Sequence, residues 1–354
     1  MNSRRSTIAS GPQNVMTRRH LNTAFVATLL SSGCGGTTPD DAVSNSGFEI
    51  IDFHSHALPP ALNAPMPPPG VLPQELEEII RVMGDPERLR QSLDAQGVNR
   101  RIINAPLEAL PPLPGELAKD RMGRINDTVA ALCETDPRLL GLASIDAYAG
   151  DVGARELERA VAELGMVGAF VESARDGRLI SAPEARPTLA TAAALGVPVF
   201  VHPVNDMTLS EKFNLNSFFH LNLGRASITS AALADMIETG VYDALPDLRT
   251  CFSSLALSAI LSGGLLETTR PDARDVMRQH VYVDTVGVRG TLIRALSDVL
   301  GVERIMVGTD WPVFSGFSVR DRFIQACAEC GFDVRERNLI AHGNARRLFN
   351  LDTD

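Results

Sequence analysis

From residue 48 to the end of this 354-residue chain, short runs rich in β-branched and aromatic residues alternate with stretches of helical period. The strand-like runs fall at 48–56, 97–104, 139–146, 166–172, 196–202, 248–254, 280–285 and 304–310. Helical segments separate most of them: Glu75 to Gln96, Arg121 to Thr135, Ala154 to Leu164, Pro183 to Leu195, Ser227 to Tyr242 and Thr291 to Leu300. Gly97-Val98, Gly165-Met166 and Gly196-Val197 mark where a helix stops and the next strand begins. Such alternation builds βα units around a parallel sheet, and eight units predict a (β/α)8 TIM barrel forming one domain over 48–354. An open doubly wound sheet would need a glycine-rich phosphate loop after its first strand, and His54-Ser55-His56-Ala57-Leu58-Pro59-Pro60 is nothing of the kind.

The ends of these runs carry the chemistry. His54-Ser55-His56 closes the first, and because side chains alternate along a strand, the two imidazoles share a face. His202 ends the run Val197-Pro198-Val199-Phe200-Val201, and Asp310 ends Arg304-Ile305-Met306-Val307-Gly308-Thr309. Three imidazoles and a carboxylate at C-terminal strand ends outline a mononuclear metal site on the face where barrels place their active sites. Zinc is the first expectation for that donor set, with manganese and iron as alternatives.

Composition narrows the partners. The formal net charge is −10 and no run of Lys and Arg appears, which argues against nucleic acid and anionic membrane surfaces. One Trp and three Tyr leave few stacking platforms for single strands. A small-molecule substrate is the expected partner.

Residues 1–47 read as an address and a tether rather than as fold. Thr17-Arg18-Arg19-His20-Leu21 precedes a short apolar stretch from Thr23 to Leu30 and then Ser31-Ser32-Gly33-Cys34-Gly35-Gly36. The pattern predicts export by the twin-arginine route to the periplasm or cell envelope, with Cys34 as a candidate lipid anchor and the only membrane attachment expected. The apolar stretch is too short to span a bilayer. Among the later cysteines, Cys133, Cys251, Cys327 and Cys330, the Cys-x-x-Cys spacing of the last two lies in a segment of helical period without a second pair, so buried thiols are expected there. The Pro-rich loop from Leu58 to Pro73 and the polar excursion from Pro203 to Arg225 are expected to cover the barrel mouth.

The motifs Ile51-Asp52-Phe53-His54-Ser55-His56, Gly196-Val197-Pro198-Val199-Phe200-Val201-His202-Pro203, Val307-Gly308-Thr309-Asp310-Trp311-Pro312 and Gly343-Asn344-Ala345-Arg346-Arg347-Leu348-Phe349 together resemble the amidohydrolase-related proteins of the aminocarboxymuconate-semialdehyde decarboxylase type. The likeness covers about residues 48–351. It implies that His54, His56, His202 and Asp310 bind one divalent metal, usually zinc, with Asp310 able to accept a proton, and that a homodimer is a candidate assembly. One departure stands out. Family members end strand six with a catalytic His, whereas Pro246-Asp247-Leu248-Arg249-Thr250-Cys251-Phe252-Ser253-Ser254 places Ser254 there.

Three functions follow. The first expectation is a metal-dependent hydrolase of a small carboxylate, ester, lactone or amide, with Asp310 taking the proton and His220 or Glu172 supplying what the missing His does elsewhere. The second is a nonoxidative decarboxylase, which needs an arginine near the mouth; Arg175, Arg178 and Arg225 are the candidates. The third is a metal-binding protein that has lost catalysis. Asp284 is a candidate for orienting a ligand or for a structural hydrogen bond, and His280 falls at the opposite end of the barrel.

Overall fold

A computed structural model describes residues 48–65, 74–205, 218–287 and 289–351. The expectations for Arg18, Arg19, Cys34 and the tether, and the middle parts of both mouth loops, lie outside the described residues.

Eight parallel strands follow one another around a barrel: β1 (Ile51–His56), β2 (Arg100–Asn104), β3 (Leu139–Ser144), β4 (Gly168–Glu172), β5 (Val199–His202), β6 (Thr250–Phe252), β7 (Val281–Asp284) and β8 (Ile305–Met306). Each pairs with its sequence neighbour. The circle is completed by a parallel bridge between Ser55 and Trp311, with Phe53 N–H donating to Val307 O at 3.1 Å and His56 N–H to Trp311 O at 2.9 Å. The fold is the expected (β/α)8 barrel.

The strands are shorter than the sequence runs, and β2, β4 and β5 start late because the glycine steps before them belong to helix ends. Gly196, at φ 66°, closes the helix Arg186–Leu195, and only Val199 enters the sheet. The helix expected over residues 75–96 is two helices, Gln74–Met83 and Pro86–Gln96. Asp85 caps the second by accepting from Glu87 N–H and Arg88 N–H, and Pro86 sits where its missing N–H costs nothing. No helix among the described residues is long and apolar enough to cross a membrane.

Each strand sends apolar side chains inward: Ile51 and Phe53, then Ile102, Leu142, Phe170, Phe200, Cys251, Tyr282 and Met306. Burying such a side chain stabilises by about 1.5–3 kcal/mol, so this plug is a substantial part of the stability and also the floor of the mouth. One irregularity positions the site. Asp52 pairs with Arg101 and Ser55 with Ile103, so β1 carries one more residue than β2 across that step. The bulge resets the alternation, which lets Phe53 point into the plug while His54 and His56 still project above it.

The four body cysteines are free, and burial pushes the Cys133 and Cys327 thiols up to about 12, so neither is a reactive thiolate.

Candidate metal centre

His54, His56, His202 and Asp310 each offer one ligand atom to a common point, all within 4.8 Å of one another. The three histidines are buried, and the Asp310 side chain is 24% exposed. His54 Nε2 lies 3.3 Å from His56 Nε2 and 3.5 Å from Asp310 Oδ1, while His56 Nε2 lies 3.0 Å from the same oxygen. Below them, Phe200 meets His54 with ring centroids 4.7 Å apart and Phe170 meets His202 at 4.8 Å.

The far side of each β1 imidazole decides which nitrogen faces inward. His54 Nδ1 is 2.6 Å from Asp284 Oδ2, and His56 Nδ1 is 2.8 Å from Asn104 Oδ1. The amide is oriented by its own Nδ2 donating to Ser55 O at 3.1 Å. Both Nδ1 atoms face acceptors and therefore carry the proton, which leaves both Nε2 lone pairs aimed at the centre. Two lone pairs and a carboxylate oxygen at 3.0–3.5 Å repel unless a cation or a proton lies between them. The donor set, three imidazoles and one carboxylate, fits a divalent metal.

The electrostatics agree. Burial pushes the His202 imidazole well below its usual range, and the nearby Arg225 acts the same way, so it stays neutral and able to ligate. Burial also lowers the His54 pKa, but the carboxylates of Asp310 and Asp284 outweigh it and raise the imidazole. For Asp310 burial acts upward, yet His54 and His56 hold the carboxyl below its ordinary value.

A buried support fixes the loop that carries Asp310. Asp52 Oδ2 accepts from Arg101 Nε at 2.9 Å, Ser55 Oγ at 2.8 Å and Thr309 Oγ1 at 2.7 Å, while Oδ1 accepts from Thr309 N–H at 3.0 Å. Asp310 then turns at φ 53°, with its N–H donating to His54 O at 2.8 Å. The left-handed turn is unusual for a non-glycine residue, and these bonds hold it. Gly308 leaves room for the arrangement: a Cβ there would lie 2.7 Å from Asp284 Cβ and 2.9 Å from His54 Cβ.

The remaining candidates divide. Ser254 is buried where strand six ends, but its hydroxyl donates to Val286 O and its N–H to Asp284 Oδ1 at 2.8 Å, so it serves the second layer. Glu172 pairs with His202 across β4 and β5 and shares the inward face of Phe170. Its Oε2 accepts from Arg175 Nε at 3.0 Å and Nη2 at 2.6 Å, and burial raises its pKa against the pull of Arg175. Arg178 pairs with Glu184 at the surface. His220 falls in the first turn of the helix Phe218–Glu238, and its side chain lies outside the described residues. His280 bonds Leu248 O at 2.8 Å at the start of β7, at the far end of the barrel from the centre.

Sequence reasoning left the role of Asp284 open and missed Asn104 and Asp52. Asp284 and Asn104 are the last residues of β7 and β2, a position that could have singled them out. Asp52 gave no such signal, being one acid inside an apolar run.

This is a barrel protein with a mononuclear metal-binding centre at its C-terminal mouth. Residues 51–351 match the amidohydrolase family, and the chain belongs to it, in the aminocarboxymuconate-semialdehyde decarboxylase-like branch of the superfamily. It is 27% identical over 285 residues to 2-amino-3-carboxymuconate-6-semialdehyde decarboxylase of Dictyostelium discoideum, covering 76% of this chain and 77% of that protein. It is 26% identical over 308 residues to gamma-resorcylate decarboxylase of Rhizobium radiobacter, covering 80% and 92%. Among solved structures, 5-carboxyvanillate decarboxylase of Novosphingobium aromaticivorans, complexed with manganese, superposes with TM-score 0.73 at 19% identity over 86% of this chain and 96% of that one. These relatives overturn the hydrolase expectation: they are decarboxylases, which favours the carboxy-lyase alternative. The chain is an enzyme with a divalent-metal site.

Proposed function

We propose that the protein is a metal-dependent nonoxidative decarboxylase acting on an aromatic or similarly unsaturated carboxylic acid with an oxygen substituent beside the carboxylate. The observation that carries this reading is the extent of the likeness: two decarboxylases align with 76% and 80% of a chain that brings His54, His56, His202 and Asp310 together. When bound, a divalent cation, zinc or manganese, supplies a Lewis acid that draws the acidic substrate into the mouth and steadies negative charge on its oxygen.

The residues of the chain supply the rest. Phe170 and Phe200 close the floor against water. In the reaction the carbon–carbon bond to the carboxylate breaks, its electron pair stays on the substrate carbon, carbon dioxide leaves, and a proton takes its place. That proton needs a carrier, and Ser254 is committed to a backbone carbonyl. Glu172 takes this role in our reading. It faces the mouth beside His202, and burial favours its protonated form.

The test is to load the purified protein with manganese or zinc and offer 2,6-dihydroxybenzoate, 5-carboxyvanillate and related acids beside simple esters and lactones. Carbon dioxide release that disappears in His202→Ala and falls in Glu172→Gln, with substrate binding retained in the latter, is the expected result. Hydrolysis of esters without carbon dioxide release refutes the decarboxylase reading, and full activity in Glu172→Gln refutes the proton carrier.

A further inference from the structure

Arg225 sits beside the metal centre and is not a ligand. It lies in the helix Phe218–Glu238, yet its guanidinium turns back to the loop that leaves β5: Nη2 donates to Pro203 O at 2.8 Å, and Pro203 directly follows the ligand His202. Nη1 donates to Asn205 Oδ1 at 3.3 Å and to Glu108 Oε1 at 3.1 Å. Glu108 belongs to the short turn Leu107–Ala109 after β2, so the pair joins loops of β2 and β5 with two strands between them. The positive charge is felt by both His202 and Asp310. The side chain is 14% exposed, so solvent reaches it only narrowly.

Its donors are incompletely used. A guanidinium offers five N–H bonds in a rigid fork. The bonds above occupy Nη1 and one N–H of Nη2, and among the described residues no protein acceptor meets Nε. A desolvated arginine with a free N–H edge beside a cationic centre suits a planar oxyanion, because the fork matches carboxylate geometry. The other mouth arginines are less available. Arg175 is spent on Glu172 and Asp146, and Arg121 donates to Leu107 O at 2.6 Å and Leu110 O at 2.8 Å.

We infer that Arg225 is the carboxylate-recognition residue of this enzyme, receiving an oxygen of the acid on its unshared N–H edge while Glu108, Asn205 and the Pro203 carbonyl hold the guanidinium in place. This rests on the decarboxylase reading and adds to it the side chain that selects an acid over its neutral counterpart. Glu108 is a positioning residue: its carboxylate fixes the fork without touching substrate.

The experiment is isothermal titration of metal-loaded and metal-free full-length protein with 2,6-dihydroxybenzoate and with resorcinol, which lacks the carboxylate. It is run on wild type, Arg225→Gln, Arg225→Lys and Glu108→Gln, with metal content measured in each. Support is a roughly ten- to hundredfold weaker Kd for the acid in Arg225→Gln, little change for resorcinol, a smaller loss in Arg225→Lys and unchanged metal content. Equal weakening of acid and phenol, or an acid Kd within twofold of wild type, overturns the role of Arg225 and leaves the decarboxylase reading standing. A wild type that binds neither this acid nor 5-carboxyvanillate overturns both.

Discussion

Gly308→Ala tests how tightly the support of His54 is packed. The added Cβ would stand 2.7 Å from Asp284 Cβ and 2.9 Å from His54 Cβ, whereas carbon atoms rest at about 3.5–4.0 Å. Asp284 must therefore retreat by about 0.8 Å and His54 by about 0.6 Å. Neither is free to do so. Asp284 Oδ1 accepts from Ser254 N–H at 2.8 Å and Val286 N–H at 3.1 Å, and Oδ2 is held by His54 Nδ1 at 2.6 Å. His54 is tied through its carbonyl to Asp310 N–H at 2.8 Å. Overpacking of this kind costs about 1–3 kcal/mol of stability, and loosening the His–carboxylate contact should weaken metal binding about ten- to a hundredfold. The assay is a chelator-competition titration beside urea unfolding. Gly264→Ala is the control, since nothing lies within 4 Å of the Cβ it adds. If Gly308→Ala matches that control in stability and keeps its metal Kd within twofold, the packing argument is wrong.

Asp284→Asn should lower metal affinity about ten- to a hundredfold with little loss of fold; unchanged affinity by the same titration would remove its orienting role. Asp52→Ala leaves Arg101 charged and fully buried without its partner, a loss of about 3–5 kcal/mol in urea unfolding, and the pair Asp52→Leu with Arg101→Met should recover most of it. Glu116, held by Arg124 and the Leu113 N–H, has its carboxyl lowered from 4.5 to about 2. A depressed folded pKa gives stability that is present above the unfolded value and lost as pH falls through the folded one. The melting temperature of wild type should therefore converge on that of Glu116→Gln between about pH 4.5 and 2, and a constant gap across that window would contradict the assignment.

The ligands were legible in the sequence because they depend on one local rule: a residue that ends a barrel strand reaches the mouth. His56 and His202 obey it, as do Asp284 and Asn104 behind them, while His54 stands two residues before the end of β1 and Asp310 four residues past the end of β8. The barrel followed from eight repeats of the same unit. What stayed hidden depends on pairing rather than on position. The extra residue in β1 is defined only against β2, and strict alternation through Phe53 and His54 would have placed them on opposite faces. The break at residues 84–85 stayed hidden because helical period continues on both sides of it.

The choice of reaction lay beyond the ligand set for a chemical reason. Three imidazoles and a carboxylate hold a Lewis acid equally well for activating water or for gathering an acidic substrate. The difference lies in what surrounds the ion: a cation to seat the leaving carboxylate and a proton for the carbon it leaves. The sequence offered Arg225 and Glu172 among several candidates, but not the contacts that single them out. Arg225 is joined to Glu108 across 117 positions, and Glu172 gains its raised pKa only by being buried on the face of Phe170. Ser254 sharpens the point. Its hydroxyl turned to Val286 O leaves strand six without an acid, and in the proposed reaction the proton comes from Glu172 on β4 instead. A pH profile that follows a group on β4 rather than on β6 is the signature to look for.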